Sequence, residues 1–173
     1  MLTGDRQDDQ AVEDAWLDTD LPDPTGAPSW VPLAGLAIVA AGLAVSIYLT
    51  VAHYDSSSIL ACPGTHLIDC QRVTTSPESR ILGIPVAILG LVFFAFMAAA
   101  MLPAAWRTGH LVVRYGRVLF ALTGVGMVFY LVYTELLTLD ALCLWCTAVH
   151  VLTVALFVVT LAGTVLTTPN NRP

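Results

Sequence analysis

The sequence contains no lysine, and its only asparagines are Asn170 and Asn171. Charged residues make up 12% of the chain, against about 25% in a soluble globular domain. That shortage stands beside 57% hydrophobic residues and a mean hydropathy of +0.77. Together they exclude an ordinary soluble enzyme and a disordered chain. The seven basic residues are all arginine: Arg6, Arg72, Arg80, Arg107, Arg114, Arg117 and Arg172. With a net charge of -6, the composition argues against a nucleic-acid partner, because a phosphate backbone selects basic surface. A length of 173 residues suits one domain.

The acid that is present is concentrated at one end. Asp5, Asp8, Asp9, Glu13, Asp14, Asp18, Asp20 and Asp23 are eight of the thirteen acidic residues. Pro22, Pro24, Gly26 and Pro28 interrupt the same stretch, which has little apolar periodicity. Residues 1–28 therefore read as a disordered acidic tail. They do not read as a secretory leader, which opens on basic residues.

The remaining charges bracket four apolar runs: Asp23 to Asp55, Arg80 to Arg107, Arg117 to Glu135, and Asp140 to Arg172. A membrane-spanning helix needs about 20 mainly apolar residues. Residues 30–52 satisfy this, opening at an interfacial Trp30. The second helix is expected from near Pro85, where proline suits a first turn, to near Trp106. The third extends back to Leu111, with Arg114 and Arg117 snorkelling to the interface. The fourth runs from about Leu142 to Thr164. The fold class is thus an all-α integral membrane protein: a four-transmembrane-helix bundle over residues 29–167, with a short cytoplasmic tail at 168–173. Arginine is densest between helices two and three, where Arg107, Arg114 and Arg117 lie. The positive-inside rule then puts that loop and both termini in the cytoplasm of a plasma (inner) membrane protein. Residues 53–84 and the 136–141 turn face the extracytoplasmic side.

All four cysteines fall on that outer side, where disulfides persist. Cys143-Leu144-Trp145-Cys146 is a C-x-x-C in a helical run, and positions i and i+3 share a helix face. A helix N-terminus favours the thiolate, the nucleophile of disulfide exchange. Cys62 and Cys70 flank a Pro63-Gly64 turn. A disulfide closing so short a loop contributes only about 2.5 kcal/mol in the chain-entropy model. That suits a bond that opens and recloses better than a staple. A C-x-x-C alone is weak: it also fits a metal site, and His53 and His66 lie near the loop pair. Three readings stay open on the residues: a relay of two dithiols ending on a lipid-soluble acceptor such as a quinone, a small membrane carrier or metal-binding protein using the cysteines as ligands, and a non-catalytic subunit with structural disulfides. A carrier needs polar residues through its midplane, and helices one, two and four offer almost none.

The combined pattern resembles the bacterial form of the vitamin K epoxide reductase family. The resemblance covers most of residues 30–160. It is carried by Gly42-Leu43-Ala44-Val45-Ser46-Ile47-Tyr48-Leu49, by Cys62 with Cys70-Gln71-Arg72-Val73-Thr74-Thr75-Ser76, by Gly83-Ile84-Pro85 and by Cys143-x-x-Cys146. The order matters, because the DsbB type of quinone-linked disulfide generator has its C-x-x-C early in the chain. The resemblance implies a thiol oxidoreductase supporting disulfide formation. A thioredoxin-fold (DsbA-like) protein would reduce Cys62/Cys70, which would reduce Cys143/Cys146, and Cys146 would face a quinone of the membrane pool, menaquinone or ubiquinone. Many bacterial relatives carry the thioredoxin-fold domain fused after the last helix. This chain ends at Pro173, so the resemblance implies a separate partner.

Some relatives place a tyrosine one turn after the second C-x-x-C cysteine, where this chain has His150, and an asparagine early in helix two, where it has none. His150 shares a helix face with Cys146. It either serves the quinone or is satisfied inside the bundle. Ser76 either bonds near the site, as the resemblance implies, or caps a turn at Pro77-Glu78. Tyr48 and Ser46 either line the quinone pocket or pack at the interface. Glu135 is expected among the headgroups, with proton transfer as its other reading. Trp145 is expected to face lipid or interface. Gly90, Gly124 and Gly126 are expected to permit close helix packing.

Overall fold

A computed structural model of the chain describes residues 28–55, 61–62, 68–107 and 110–166. The acidic tail, save Pro28, lies outside the described residues, as do the tail at 168–173 and His66.

Four helices form the bundle: α1 (Trp30–Tyr54), α3 (Val86–Met101), α5 (Leu111–Thr134) and α6 (Leu144–Leu166). Two short helices, α2 (Cys70–Thr75) and α4 (Pro103–Arg107), lie in the connections. α1 packs against α3 and α6, and α6 also packs against α5. The architecture is the expected all-α membrane bundle. Among the described residues, three helical runs are long and apolar enough to cross a membrane: α1, α6, and α5 with its extension to Leu139. Large apolar side chains such as Val112, Leu119, Phe129 and Val158 are exposed on the outside of the bundle. In lipid that surface has no cost, whereas in water a continuous apolar coat marks an interaction surface.

The second helix departs from expectation. It does not run unbroken to Trp106 but ends at Met101 after 16 residues, about 24 Å of helix. Pro103 is the cause. Its ring disfavours helical backbone at the residue before it, and Leu102 is extended at φ -57°, ψ 140°. The chain turns there into α4, which carries Trp106 back into the core.

The core is built of Val31, Val39, Phe94, Met97, Met101, Trp106, Ala121 and Leu156, all buried. Glycine lets the backbones approach. A Cβ at Gly42 would collide with the Phe94 ring, and one at Gly124 with the Phe93 ring. Gly90 approaches the Ser46 hydroxyl. Gly126 corrects the expectation of close packing, since nothing lies within 4 Å of a Cβ placed there.

Arg117 also corrects its expectation. It does not snorkel but is buried, with its guanidinium 3.4 Å from the Trp106 ring centroid. Its Nη1 donates to the Ala100 carbonyl at 3.1 Å. That carbonyl is one of the last in α3, which Pro103 leaves without an intrahelical donor. Arg114 donates to the Thr164 carbonyl near the end of α6. Both arginines thus serve helix C-termini, where cations are favoured.

Between α2 and α3 the chain forms a 3-10 turn, Pro77–Ser79, and a small hairpin that the sequence reading lacked. β1 (Arg80–Ile81) pairs antiparallel with β2 (Ile84–Pro85), in the register Arg80 to Pro85 and Ile81 to Ile84. Leu82 and Gly83 form its two-residue turn at φ 54° and 82°. A turn with both central residues left-handed matches strand twist.

Candidate functional site

The loop carrying Cys70 is held against the start of α6. Ile68 bridges to Leu142 in parallel, and the Asp69 N–H donates to the Leu142 carbonyl at 3.1 Å. Asp69 then caps α2 by accepting the Arg72 N–H on its side chain at 2.9 Å, as N-cap aspartates do. The cap starts α2 at Cys70, whose side chain is buried. Cys70 is disulfide-bonded to Cys62, with a Cα–Cα distance of 6.2 Å.

Cys143 and Cys146 are free thiols. Cys143 is not inside the helix, as expected, but immediately before it. Its carbonyl accepts the Thr147 N–H at 2.9 Å and its sulfur accepts the Cys146 N–H at 3.2 Å. The residue thus caps α6 with its own sulfur. A hydrogen bond from the Cys146 thiol, joined by the N–H groups of Cys146 and Trp145, holds the Cys143 thiol below its usual range despite burial. Cys70, Val73, Ala141 and Cys143 form one buried cluster, with Cys62 and Cys146 packed against it. All four cysteines, 84 positions apart at the extremes, meet at one end of the bundle.

Trp145, expected to face lipid or interface, is half-buried beside the cysteines. Its indole N–H donates to the Ala61 carbonyl at 3.1 Å, beside Cys62. Its ring packs on Tyr48 at 4.9 Å between centroids, and the Tyr48 hydroxyl accepts the Ala61 N–H at 3.0 Å. Tyr48 and Trp145 thus pin the Cys62 strand to the C-x-x-C.

Beneath the cluster lies a cavity of about 290 Å³. Cys146, His150 and Ser76 line it together with Ser46 and Glu135. Tyr48 is not among its lining residues. Phe93, Phe94, Met127, Val128, Leu131 and Leu139 supply much of its apolar wall. Ser76 caps the 3-10 turn: its hydroxyl accepts the Ser79 N–H at 3.1 Å and donates to the Val73 carbonyl at 3.0 Å. It is also one of the residues lining the cavity. His53 lies apart: it donates from Nδ1 to Thr74 at 3.0 Å and accepts from Arg80 at 3.4 Å on Nε2.

Glu135 corrects the headgroup expectation. It is only 4% exposed and belongs to the cavity wall. The signal was in the sequence: Gly124, Val128 and Leu131 precede it on the same helical face, at spacings of eleven, seven and four. The polar residues of α6 also exceed expectation, since Thr153, Thr160 and Thr164 are buried. Each hydroxyl donates to the carbonyl four residues earlier, at 2.8, 2.6 and 2.8 Å. They are spent on their own helix and open no polar path.

Two cysteine pairs in contact, one of them against an apolar cavity inside a membrane bundle, define a dithiol–disulfide site. The sequence model of the vitamin K epoxide reductase family matches residues 33–161, most of the chain, and the protein belongs to that family. No curated protein matches the chain. Membership makes it a membrane oxidoreductase of the disulfide-generating or quinone-reducing kind, in a family whose members use quinones.

Proposed function

We propose that the protein draws electrons from a thioredoxin-fold envelope protein through Cys62/Cys70 to Cys143/Cys146 and delivers them to a quinone, so regenerating disulfides. The observation that carries this is that Cys146 belongs to both sites: it packs against the cysteine cluster and lines the apolar cavity. Sulfur chemistry needs contact between the pairs, and a lipid-soluble acceptor needs an apolar cavity. The cavity fits a quinone ring in kind, with aromatic and aliphatic walls and few polar groups. When bound, the quinone supplies a two-electron oxidant. Cys143 is the sulfur of the C-x-x-C that the loop pair attacks, since it is clustered with Cys70; the attack expels Cys146, and Cys143, a low-pKa thiol that leaves faster, departs in turn as the Cys62–Cys70 bond closes. Cys146 faces the acceptor. His150 and Ser76 orient the quinone oxygens, and Tyr48 acts instead by holding the Cys62 strand. The apolar helices α1, α3, α5 and α6 support four crossings, and arginine asymmetry supports both termini cytoplasmic and the cysteines outside.

The test compares two reductants on four variants. Dithiothreitol is small enough to reach Cys143/Cys146 directly, whereas a protein partner is not. Cys62→Ala and Cys70→Ala should abolish oxidation of a thioredoxin-fold partner yet keep substantial dithiothreitol-driven quinone reduction. Cys143→Ala should largely lose both activities, and Cys146→Ala should lose them completely. Quinone absorbance reports each rate and circular dichroism confirms the fold. A folded Cys146→Ala chain that still reduces quinone with dithiothreitol would place the electron exit elsewhere.

A further inference from the structure

Glu135 is a buried carboxyl that the electron path above does not use. It sits on the π-helical turn Glu135–Leu139 that ends α5, a turn closed by the Ala141 N–H donating to the Glu135 carbonyl at 3.2 Å. π-helical turns occur often at functional sites. The side chain lines the same cavity as Cys146 and His150. The Cys143 backbone N–H hydrogen-bonds its carboxylate. The carboxyl is therefore in contact with the C-x-x-C on one side and open to the cavity on the other. An ionisable side chain at such depth is costly and is kept for a task.

We propose that Glu135 is the proton acceptor of the Cys143/Cys146 dithiol, taking a thiol proton as the two sulfurs join and passing it into the cavity. The proposal rests on the quinone reading above. The balance is simple. Two S–H bonds break and the Cys143–Cys146 bond forms. Both electrons and both protons end on quinol, one proton by way of Glu135 and the other by way of His150. The sum is dithiol plus quinone to disulfide plus quinol. The carboxylate is the active form, so the rate falls as pH drops and Glu135 takes up a proton. Other titratable groups face the same space: Glu78 from the 3-10 turn, and Cys146 and His150 from α6. Cys143 acts on Glu135 from the cap, outside the cavity lining. α1 and α3 line the cavity with Ser46, Leu49, Gly90 and Phe93 and their neighbours, none of which titrates.

The experiment uses Glu135→Gln, which keeps shape and removes the exchangeable charge, and Glu135→Asp, which keeps the acid. The first readout needs no quinone. In a Cys62→Ala/Cys70→Ala background the C-x-x-C holds the only thiols, and its thiolate is followed by ultraviolet absorbance against pH. A nearby carboxylate repels a thiolate, so Glu135→Gln should move that titration to lower pH. The second readout is dithiothreitol-driven quinone reduction. It should fall on the order of 100-fold in Glu135→Gln, the scale of general acid–base catalysis, although more thiolate is present. Part of the low-pH decline should vanish with it. Glu135→Asp should regain much of the rate with its low-pH decline displaced. An unmoved thiolate titration, or a wild-type rate in Glu135→Gln, overturns the proposal. If Glu135→Gln does not fold, Glu135→Asp decides: an undisplaced pH profile overturns it. Loss of the quinone reading itself has another signature, a Cys146→Ala chain that remains active.

Discussion

Gly42 shows how a single residue sets the bundle. The backbone of α1 passes against the buried ring of Phe94, with no room for a Cβ. Forcing extra methyl groups into such a contact costs about 1–3 kcal/mol. Gly126 has open space where a Cβ would go, and alanine there gains about 1 kcal/mol of helix propensity. Gly42→Val should therefore lower the thermal unfolding midpoint in detergent, while Gly126→Ala should leave it unchanged or raise it. The sequence did not separate the two glycines, because an apolar run of this kind has no polar face to mark which side meets a neighbour. The meeting of the cysteines was legible for the opposite reason: their spacing and their place at the same end of the charge-bracketed helices are properties of the chain. Glu135 fell between these cases. Its face was readable by counting back to Gly124, but its nearness to Cys143 depends on the π-helical turn, which the residue types do not announce.

The element that joins the two cysteine pairs is α2 with its cap. The Asp69 side chain begins the helix, and its backbone N–H ties the loop to Leu142. Replacing an N-cap aspartate by alanine costs about 1 kcal/mol, and here the loss falls on six residues bearing Cys70. Asp69→Ala should hasten amide exchange across residues 70–75 and slow oxidation of a protein partner. Dithiothreitol-driven quinone reduction should fall less, because α6 keeps its own start while Val73 and Thr74 of α2 contribute only part of the cavity wall. An equal loss with both reductants would show that the effect of α2 lies at the cavity and not at the loop pair. Three of the four long helices followed from charge spacing to within a few residues. The break at Leu102 and the Leu82-Gly83 hairpin did not. In the first case Pro103 sits in an uninterrupted apolar run, and in the second the strands are two residues each, too short for any alternation to register.

At the scale of the whole molecule, the proposed redox path depends on the orientation that the arginine count supports. Arg114 and Arg117 turn inward to helix ends rather than out to the headgroups. They still weight the same side, because the rule counts positive residues near the helix ends. In intact cells a membrane-impermeant thiol reagent should label His66→Cys and spare Gly109→Cys. The reverse pattern would put the disulfide of Cys62 and Cys70 in a reducing compartment.

The sulfur cap on α6 has a mechanical consequence. The Cys146 amide donates to a sulfur that is free when the pair is reduced and bonded to the Cys146 sulfur when the two join. Joining them ties the first turn of the helix covalently to its own cap. On the proposed reading, the head of α6 is the part of the fold that each turnover locks and releases.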